Sequence, residues 1–171
     1  MTERGPTLEL KAPGECSREG IDRFRGMVLE AGEVTAGGFD ARIVRAEALA
    51  FLRIGRELIG VGALKNPYPN YVRKVFRNAH AKDVSSTFDL EIGWVVVAEA
   101  HRGHSHARQI VEALISRAGG RRIFATSVTA RVPMHKGLMA CGFERHGQEW
   151  QSQRRPDEKL YLFVHSGIIA G

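Results

Sequence analysis

The sequence predicts an α+β domain: a mixed, mostly antiparallel sheet of about six to seven strands flanked by helices, with one β-α-β unit inside it. Three observations carry that expectation. Residues 47–53 and 57–65 alternate along their length, are rich in strand formers and turn at Gly55 and Arg56, the pattern of a hairpin. Residues 88–97 are an apolar, β-branched run that leads through a short loop into the amphipathic segment 108–118 and on to a next strand at 122–127. Residues 143–150 and 160–165 read as a closing antiparallel pair across the polar stretch 151–158. One parallel crossover among antiparallel hairpins argues for α+β in at most three layers.

The remaining elements follow in order. Residues 8–11 supply a first strand. Ser17 stands at a helix N-cap position, ahead of a segment in which Ile21, Phe24, Val28 and Leu29 share one face. Residues 32–38 form a glycine-rich loop. After the hairpin, Pro67 and Pro69 interrupt the chain. Tyr71, Val72, Val75 and Phe76 then make a helical stripe with basic residues opposite. Residues 83–87 are a polar connection into the central strand, and 133–140 form the last helix. No repeat or low-complexity linker divides residues 1–171, so the chain reads as a single domain with its core at roughly 48–165.

At 171 residues the chain is long enough to bury a core without disulfides or metals. Its 43% hydrophobic and 26% charged content is ordinary for a soluble domain. No apolar run approaches the roughly 18–20 residues that cross a bilayer, and residues 1–6 lack the apolar centre of a signal peptide. Cys16 and Cys141 are too far apart in sequence to suggest a disulfide framework, so a reduced, cytoplasmic protein is expected. The net charge of +6 favours anionic partners. Its positive charge is spread over Arg73, Lys74, Arg77 and Lys82, over Arg121 and Arg122, and over Arg154 and Arg155. That dispersal fits a solvated surface first, attraction of a cofactor or substrate second, and nucleic acid last.

The strand–loop–helix stretch from residue 88 to 118 says most about function. A strand that ends in a small-residue loop and feeds a helix gathers unpaired backbone N–H groups at the helix N-terminus, where the helix dipole adds positive charge. A diphosphate is the natural occupant, so a phosphorylated cofactor is expected.

The loop residues Arg102, Gly103, His104, Ser105, His106 and Ala107 resemble the Arg/Gln-x-x-Gly-x-Gly/Ala loop of the GNAT superfamily of acetyl-CoA-dependent N-acetyltransferases. Arg102 matches the first position and Ala107 the last, while Ser105 stands where that family usually has glycine. Glu91, eleven residues before Arg102, is placed like the general base of the histone-acetylating members. Gly142 and Phe143 are similar to the Gly-Phe that closes the family's core. The resemblance spans roughly residues 48–165.

It implies acetyl-CoA as acetyl donor, direct attack by an amine and Glu91 as the base, with no covalent enzyme intermediate. It assigns the diphosphate cradle to Arg102, Gly103, His104, Ser105, His106 and Ala107, with charge from Arg102 or Arg108. It gives the acetyl carbonyl and pantetheine contacts to the main chain of Val95, Val96 and Val97. The family's thiolate-protonating tyrosine is replaced by Leu138, and an asparagine often found upstream by Arg131; Tyr68, Tyr71 and His135 are the residues that could take over as acid. Acceptor choice in this fold falls to about residues 21–39 and 67–83, whose basic helix favours an anionic acceptor over a polyamine. Partners are then a small-molecule or peptide amine, with no membrane, nucleic acid the least favoured, and a homodimer left open.

Other residues have plainer readings. Strand alternation puts Glu91 on one face with Asp89, Gly93, Val95 and Val97, leaving room for substrate and making Asp89 the reserve base. Ser105 is expected to restrict the positive φ a glycine would permit and to cap the helix or donate to phosphate. His101, His104 and His106 lack the companion ligands of a metal site, so no metal is expected. Cys141 has no histidine–acid pair to activate it, and Met134, Leu138 and Met139 are expected in the core. Two rival functions stay open: an acyl-CoA-binding module without catalysis, and an acyltransferase-like protein that modifies a nucleic-acid base.

Overall fold

The computed structural model describes residues 4–81, 85 and 87–167. Lys82 and most of the expected 83–87 connection lie outside those residues. Seven strands form one sheet in the order β1-β2-β3-β4-β5-β7-β6, where β1 is Thr7–Lys11, β2 Ala48–Ile54, β3 Glu57–Lys65, β4 Leu90–Val97, β5 Ile123–Val128, β6 Glu144–Gln151 and β7 Lys159–His165. Every pairing is antiparallel except β4 with β5, the crossover expected from the sequence. The helices are α1 (Arg18–Glu30), α2 (Phe39–Arg45), α3 (Pro69–Asn78), α4 (His106–Ala118) and α5 (Val132–Ala140). No helix among the described residues is long and apolar enough to cross a membrane.

Alternation along the strands divides the core. Ala48, Ala50 and Leu52 of β2 point toward α4 and α5, where Ile110, Leu114 and Leu138 close one layer. Leu49 and Phe51 point the other way, onto Phe24 and Val28 of α1 and Phe39 and Ile43 of α2. The stripe Val72, Val75 and Phe76 of α3 packs on Phe88 and Phe124, with Phe76 and Phe124 in edge contact at 5.5 Å. Burial of this kind stabilises by about 25 cal/mol per Å² of apolar surface, which is what holds short helices such as α2 in place.

Ser17 caps α1 as expected, its hydroxyl accepting from the Gly20 amide at 3.0 Å. α2 has no counterpart among the elements expected from the sequence. Seven residues are too few to be helical alone, and only Phe39 and Ile43 mark an inward face, while Val44 is 73% exposed. Met139 is also half exposed rather than core.

The two closing strands are not a plain pair. His146 faces Leu162 and Trp150 faces Leu160, so β6 carries two extra residues between those points. The bulge meets the end of α3, where Gln148 donates its amide to the Ala79 carbonyl at 2.8 Å. Gly147 has φ of +71°, and a Cβ there would lie 2.1 Å from the Ala79 oxygen. This contact fixes Trp150 and the turn beyond it relative to α3. Gly147→Ala is expected to destabilise the fold by about 1–3 kcal/mol through overpacking, seen as a lower Tm of about 2–4 °C per kcal/mol in a chain of this size. An unchanged Tm would mean the contact is relaxed in solution.

Candidate active site

A bulge in β4 opens the site. The β3–β4 register runs Leu64↔Ile92 and Ala63↔Gly93, then resumes at Val61↔Val96, so β4 holds one residue more than β3 across the same step. The irregular residue is Trp94, with φ of +53°. A bulge turns the strand and restarts its alternation. On the other edge, β4 and β5 pair only at Leu90↔Ile123 and Glu91↔Phe124. Beyond that point the strands part, and both Ile92–Val97 and Ala125–Val128 line a cavity of about 900 Å³.

The bulge corrects the expected face of β4. Glu91 remains on the side of α1, α2 and α3, but Trp94 and Val96 join it there, while Val95 and Val97 pack toward α4. Asp89 is exposed at the far end of the strand, does not line the cavity and lies near Arg121. It is not placed to be a reserve base for this cavity.

Glu91 lies at the floor of the cleft, 2% exposed. Oε1 accepts from the Tyr71 hydroxyl at 3.3 Å, and Oε2 is 2.9 Å from Lys65 Nζ. The Lys65 contact is an ion pair by distance, though its angle does not make Oε2 a satisfied hydrogen-bond acceptor. Lys65 is the cross-strand partner of Glu91, and its stem runs over Gly93, where a Cβ would lie 2.9 Å from Lys65 Cδ. Its ammonium also sits 4.8 Å from the Trp94 ring, within cation–π range. Neither the lysine nor its pairing with Glu91 is anticipated from the sequence. The signal that could have found them is the register of the hairpin against β4, which aligns positions 65 and 91.

Of the candidate acids, only Tyr71 reaches the centre. The residue is 39% exposed, but its hydroxyl reaches inward to the buried Glu91 carboxylate. Desolvation first, then the Glu91 charge and hydrogen bond, hold that hydroxyl well above the usual tyrosine range. Tyr68 stands outside, its ring covered by the Arg45 guanidinium at 3.9 Å. His135 is buried and donates through Nε2 to the Val128 carbonyl at 3.0 Å, against the rings of Tyr161 and Phe163. Leu138 is fully inside the apolar core, and Trp94 and Trp150 both border the cleft.

The loop after β4 departs from expectation in detail. Ser105 does adopt the left-handed backbone, with φ of +61°, and its side chain caps nothing. Gly103 is also left-handed, with φ of +84°. Gln109 is the first amide of α4 with a helical acceptor, the Ser105 carbonyl at 3.1 Å, so the amides of His106, Ala107 and Arg108 form the free first turn. Arg102 lines the cavity but folds onto the Val97 carbonyl at 3.1 Å, and Arg108 turns to Glu112 at 2.9 Å. Gly103, His104, Ser105, His106, Ala107 and Arg108 stand outside the cavity lining. His104 and His106 have ring centroids 5.8 Å apart, and His101 contacts Glu57 at 3.4 Å. The stretch from Arg102 to Arg108 offers donors and no carboxylate, which is the chemistry a diphosphate asks for.

The Tyr71 environment makes a pH prediction. Its proton is held more tightly in the folded state, so the associated stability is full below pH 10 and is lost as pH climbs through the higher folded value. Tyr71→Phe should therefore flatten the fall in stability above about pH 10 relative to wild type, measured by denaturant unfolding across pH. Parallel slopes would place the Tyr71 hydroxyl in water.

Residues 25–143, more than half of the chain, match the family model described as the acetyltransferase (GNAT) family. No curated protein matches the sequence. Among solved structures the chain is similar to Escherichia coli ElaA, at 10% identity over 94% of this chain and 99% of that one, with a TM-score of 0.68. It is similar to an acyl-CoA N-acyltransferase from Pseudomonas aeruginosa at 12% identity, 94% and 99% coverage and a TM-score of 0.69. A GNAT family acetyltransferase from Elizabethkingia anophelis with acetyl-CoA bound aligns at 12% identity, 94% and 97% coverage and a TM-score of 0.63. At these identities the likeness is one of fold.

Proposed function

The chain belongs to the acetyltransferase (GNAT) family, and from that premise we propose that it acetylates the nitrogen of a small-molecule or peptide amine with Glu91 as general base. It is an acyltransferase, and its acyl donor is acetyl-CoA. The observation that carries the proposal is Glu91 itself: a carboxylate 2% exposed, lining the cleft where β4 and β5 part, and held from two sides by Tyr71 and Lys65. A carboxylate in so enclosed a position needs partners to offset desolvation. These two leave it aimed at that cavity.

Acetyl-CoA, when bound, supplies the acyl group as an activated thioester. The chain's own residues do the rest. The free amides at the start of α4 and the left-handed turn at Gly103 and Ser105 hold the diphosphate. The β4 edge through Val95, Val96 and Val97, released from β5, offers main-chain groups to the pantetheine arm and the acyl carbonyl. Glu91 removes a proton from the acceptor nitrogen, directly or through one water, and frees its lone pair for attack. Tyr71 is a positioning residue that fixes Oε1 through its hydroxyl, and Lys65 steadies Oε2. Leu138 offers no proton to the departing sulfur. A thiol with an ordinary pKa near 8.5 leaves tolerably as its anion. We also place the reaction in the cytoplasm, a reading supported by two cysteines that are both free thiols.

Two outcomes test the proposal. Glu91→Gln should keep CoA binding, lower turnover by roughly 10²–10³ and erase the acid limb of the rate profile; full activity across pH would make Glu91 structural. CoA at 100 times Kd should stabilise the wild type by about 2.7 kcal/mol. Ser105→Glu should remove that gain by setting a carboxylate in the cradle, and a retained shift would put the diphosphate elsewhere.

A further inference from the structure

Among the described residues, the cleft holds two cations that no carboxylate answers. Six basic and three acidic side chains line it. Lys65 is paired with Glu91 at 2.9 Å, Arg131 with Glu33, and Glu158 with Arg155 at 3.3 Å. Arg102 belongs to the donor end, on the Val97 carbonyl. Arg42 and Lys74 remain, and among the described residues each meets neutral groups only, whereas Arg154 lies within reach of the Glu33 and Glu158 charges. Lys74 donates to Gln153 Oε1 at 2.7 Å, Arg154 to the Gly32 carbonyl at 2.9 Å, and Arg42 reaches the Gly38 carbonyl at 3.5 Å with its head 5.6 Å from the Phe39 ring.

These charges line the same cavity as the proposed base. Arg42, on α2, is close enough for its charge to act on the Tyr71 hydroxyl that touches Glu91. Lys74 stands three residues after Tyr71 on α3, so both rise from one helical face. Arg154 comes from the turn between β6 and β7. Its proton is held less tightly than usual, first because it is desolvated and then because Arg155 adds like charge, while Glu33 and Glu158 oppose the shift, so Arg154 is not counted with the unanswered cations. Cations arranged around a cavity without counter-charge favour an anionic occupant, and a guanidinium fork suits a planar or tripodal oxyanion.

We infer that the acceptor is a primary amine that also carries an acid group, carboxylate or phosphonate, and that Arg42 and Lys74 bind this acid group while the amine reaches Glu91. The inference rests on the acyltransferase reading of the same cleft and deepens it to a substrate class. A polyamine is disfavoured because its second ammonium would face Arg42 and Lys74.

The test follows CoA release with amino acids, their carboxamides, matching aminophosphonates and spermidine as acceptors. Thermal shift with the same compounds is run in parallel. The expected result is that kcat/KM for an acid exceeds that for its amide by at least about tenfold, as a charge-assisted hydrogen bond provides. Comparing the carboxylate and phosphonate arms identifies which oxyanion is preferred. Arg42→Gln and Lys74→Gln, both at exposed positions, should each reduce the acid-to-amide ratio about 10-fold or more, chiefly through KM for the acid. A ratio near one in wild type, a ratio unmoved by both variants, or a preference for spermidine overturns the inference. If amines of every class are acetylated equally in a Glu91-dependent way, the acyltransferase mechanism stands and the acid site does not. If no amine turns over, the melting arm decides: acid-specific shifts lost in Arg42→Gln keep the acid site, and equal shifts for acid and amide remove it.

Discussion

The geometry of the site depends on one residue of backbone. Trp94 occupies the left-handed region in the middle of a central strand, a conformation that costs about 1–3 kcal/mol for a residue with a side chain. Its ring supplies the compensation. It sits edge-on to Phe39 at 5.0 Å and to Phe24 at 6.2 Å, so α1 and α2 clamp the bulge from one face of the sheet. Each aromatic pair of this kind adds about 0.5–1.5 kcal/mol beyond burial, enough together to offset the strain. With the bulge held, β4 swings away from β5, and the amides and carbonyls that would have completed the ladder become the walls of the cavity. Without it the sheet would pair through residue 97 and close.

The same displacement explains how a glutamate survives at the centre of the fold. Glu91 sits at the last paired step of β4 with β5, where water is excluded on the strand side and the cavity begins on the other. Lys65 reaches it across the neighbouring strand because Gly93 leaves the surface open beneath its stem. Tyr71 reaches it from α3, which the Gly147 contact and the Phe76–Phe124 packing hold over the strand end. Two separate elements, β3 and α3, therefore converge on the two carboxylate oxygens. Losing any one partner would leave the charge less compensated, and that is why the arrangement is rigid rather than adaptable.

Much of this fold was legible from the chain alone, because its strands alternate and its helices carry apolar stripes. The hairpin, the parallel crossover and the closing pair all stand where the periodicity puts them, within a residue or two. What escaped was produced by tertiary contact. α2 exists because Phe39 and Ile43 find Trp94 and the sheet, and nothing local announces it. The faces of Val95 and Val97 were assigned by unbroken alternation, and one bulged residue reversed them. Glu91 was visible as a carboxylate in an apolar strand, but Lys65 was not, because cross-strand register is a long-range property. Ser105 shows the opposite error: its side chain was weighed against a positive φ that the loop nonetheless imposes.

The two ends of the cleft differ in what builds them, and this decides what each can reveal. In the proposed reading the donor end is made largely of main chain: the parted edge of β4 inside the cleft and, beyond its lining, the left-handed turn at Gly103 and Ser105 and the free first turn of α4. Backbone groups are present whatever the side chains, so this end tolerates serine for glycine and advertises itself by spacing. The acceptor end is made of side chains from three separate segments: the α1–α2 region, α3 and the β6–β7 turn. Their charges are meaningful only as a set. Glu33 neutralises Arg131 and Glu158 faces Arg155, so the sequence-wide excess of positive charge says little about the cavity. It is the subtraction of those pairs, visible only in three dimensions, that leaves Arg42 and Lys74 without a carboxylate partner in the cavity that Glu91 lines. On the proposed reading, a carboxylate base that shares its cavity with Arg42 and Lys74 disfavours a second ammonium and favours an acid beside the amine, because the amine's proton and the acid's charge then each meet the group of opposite sign.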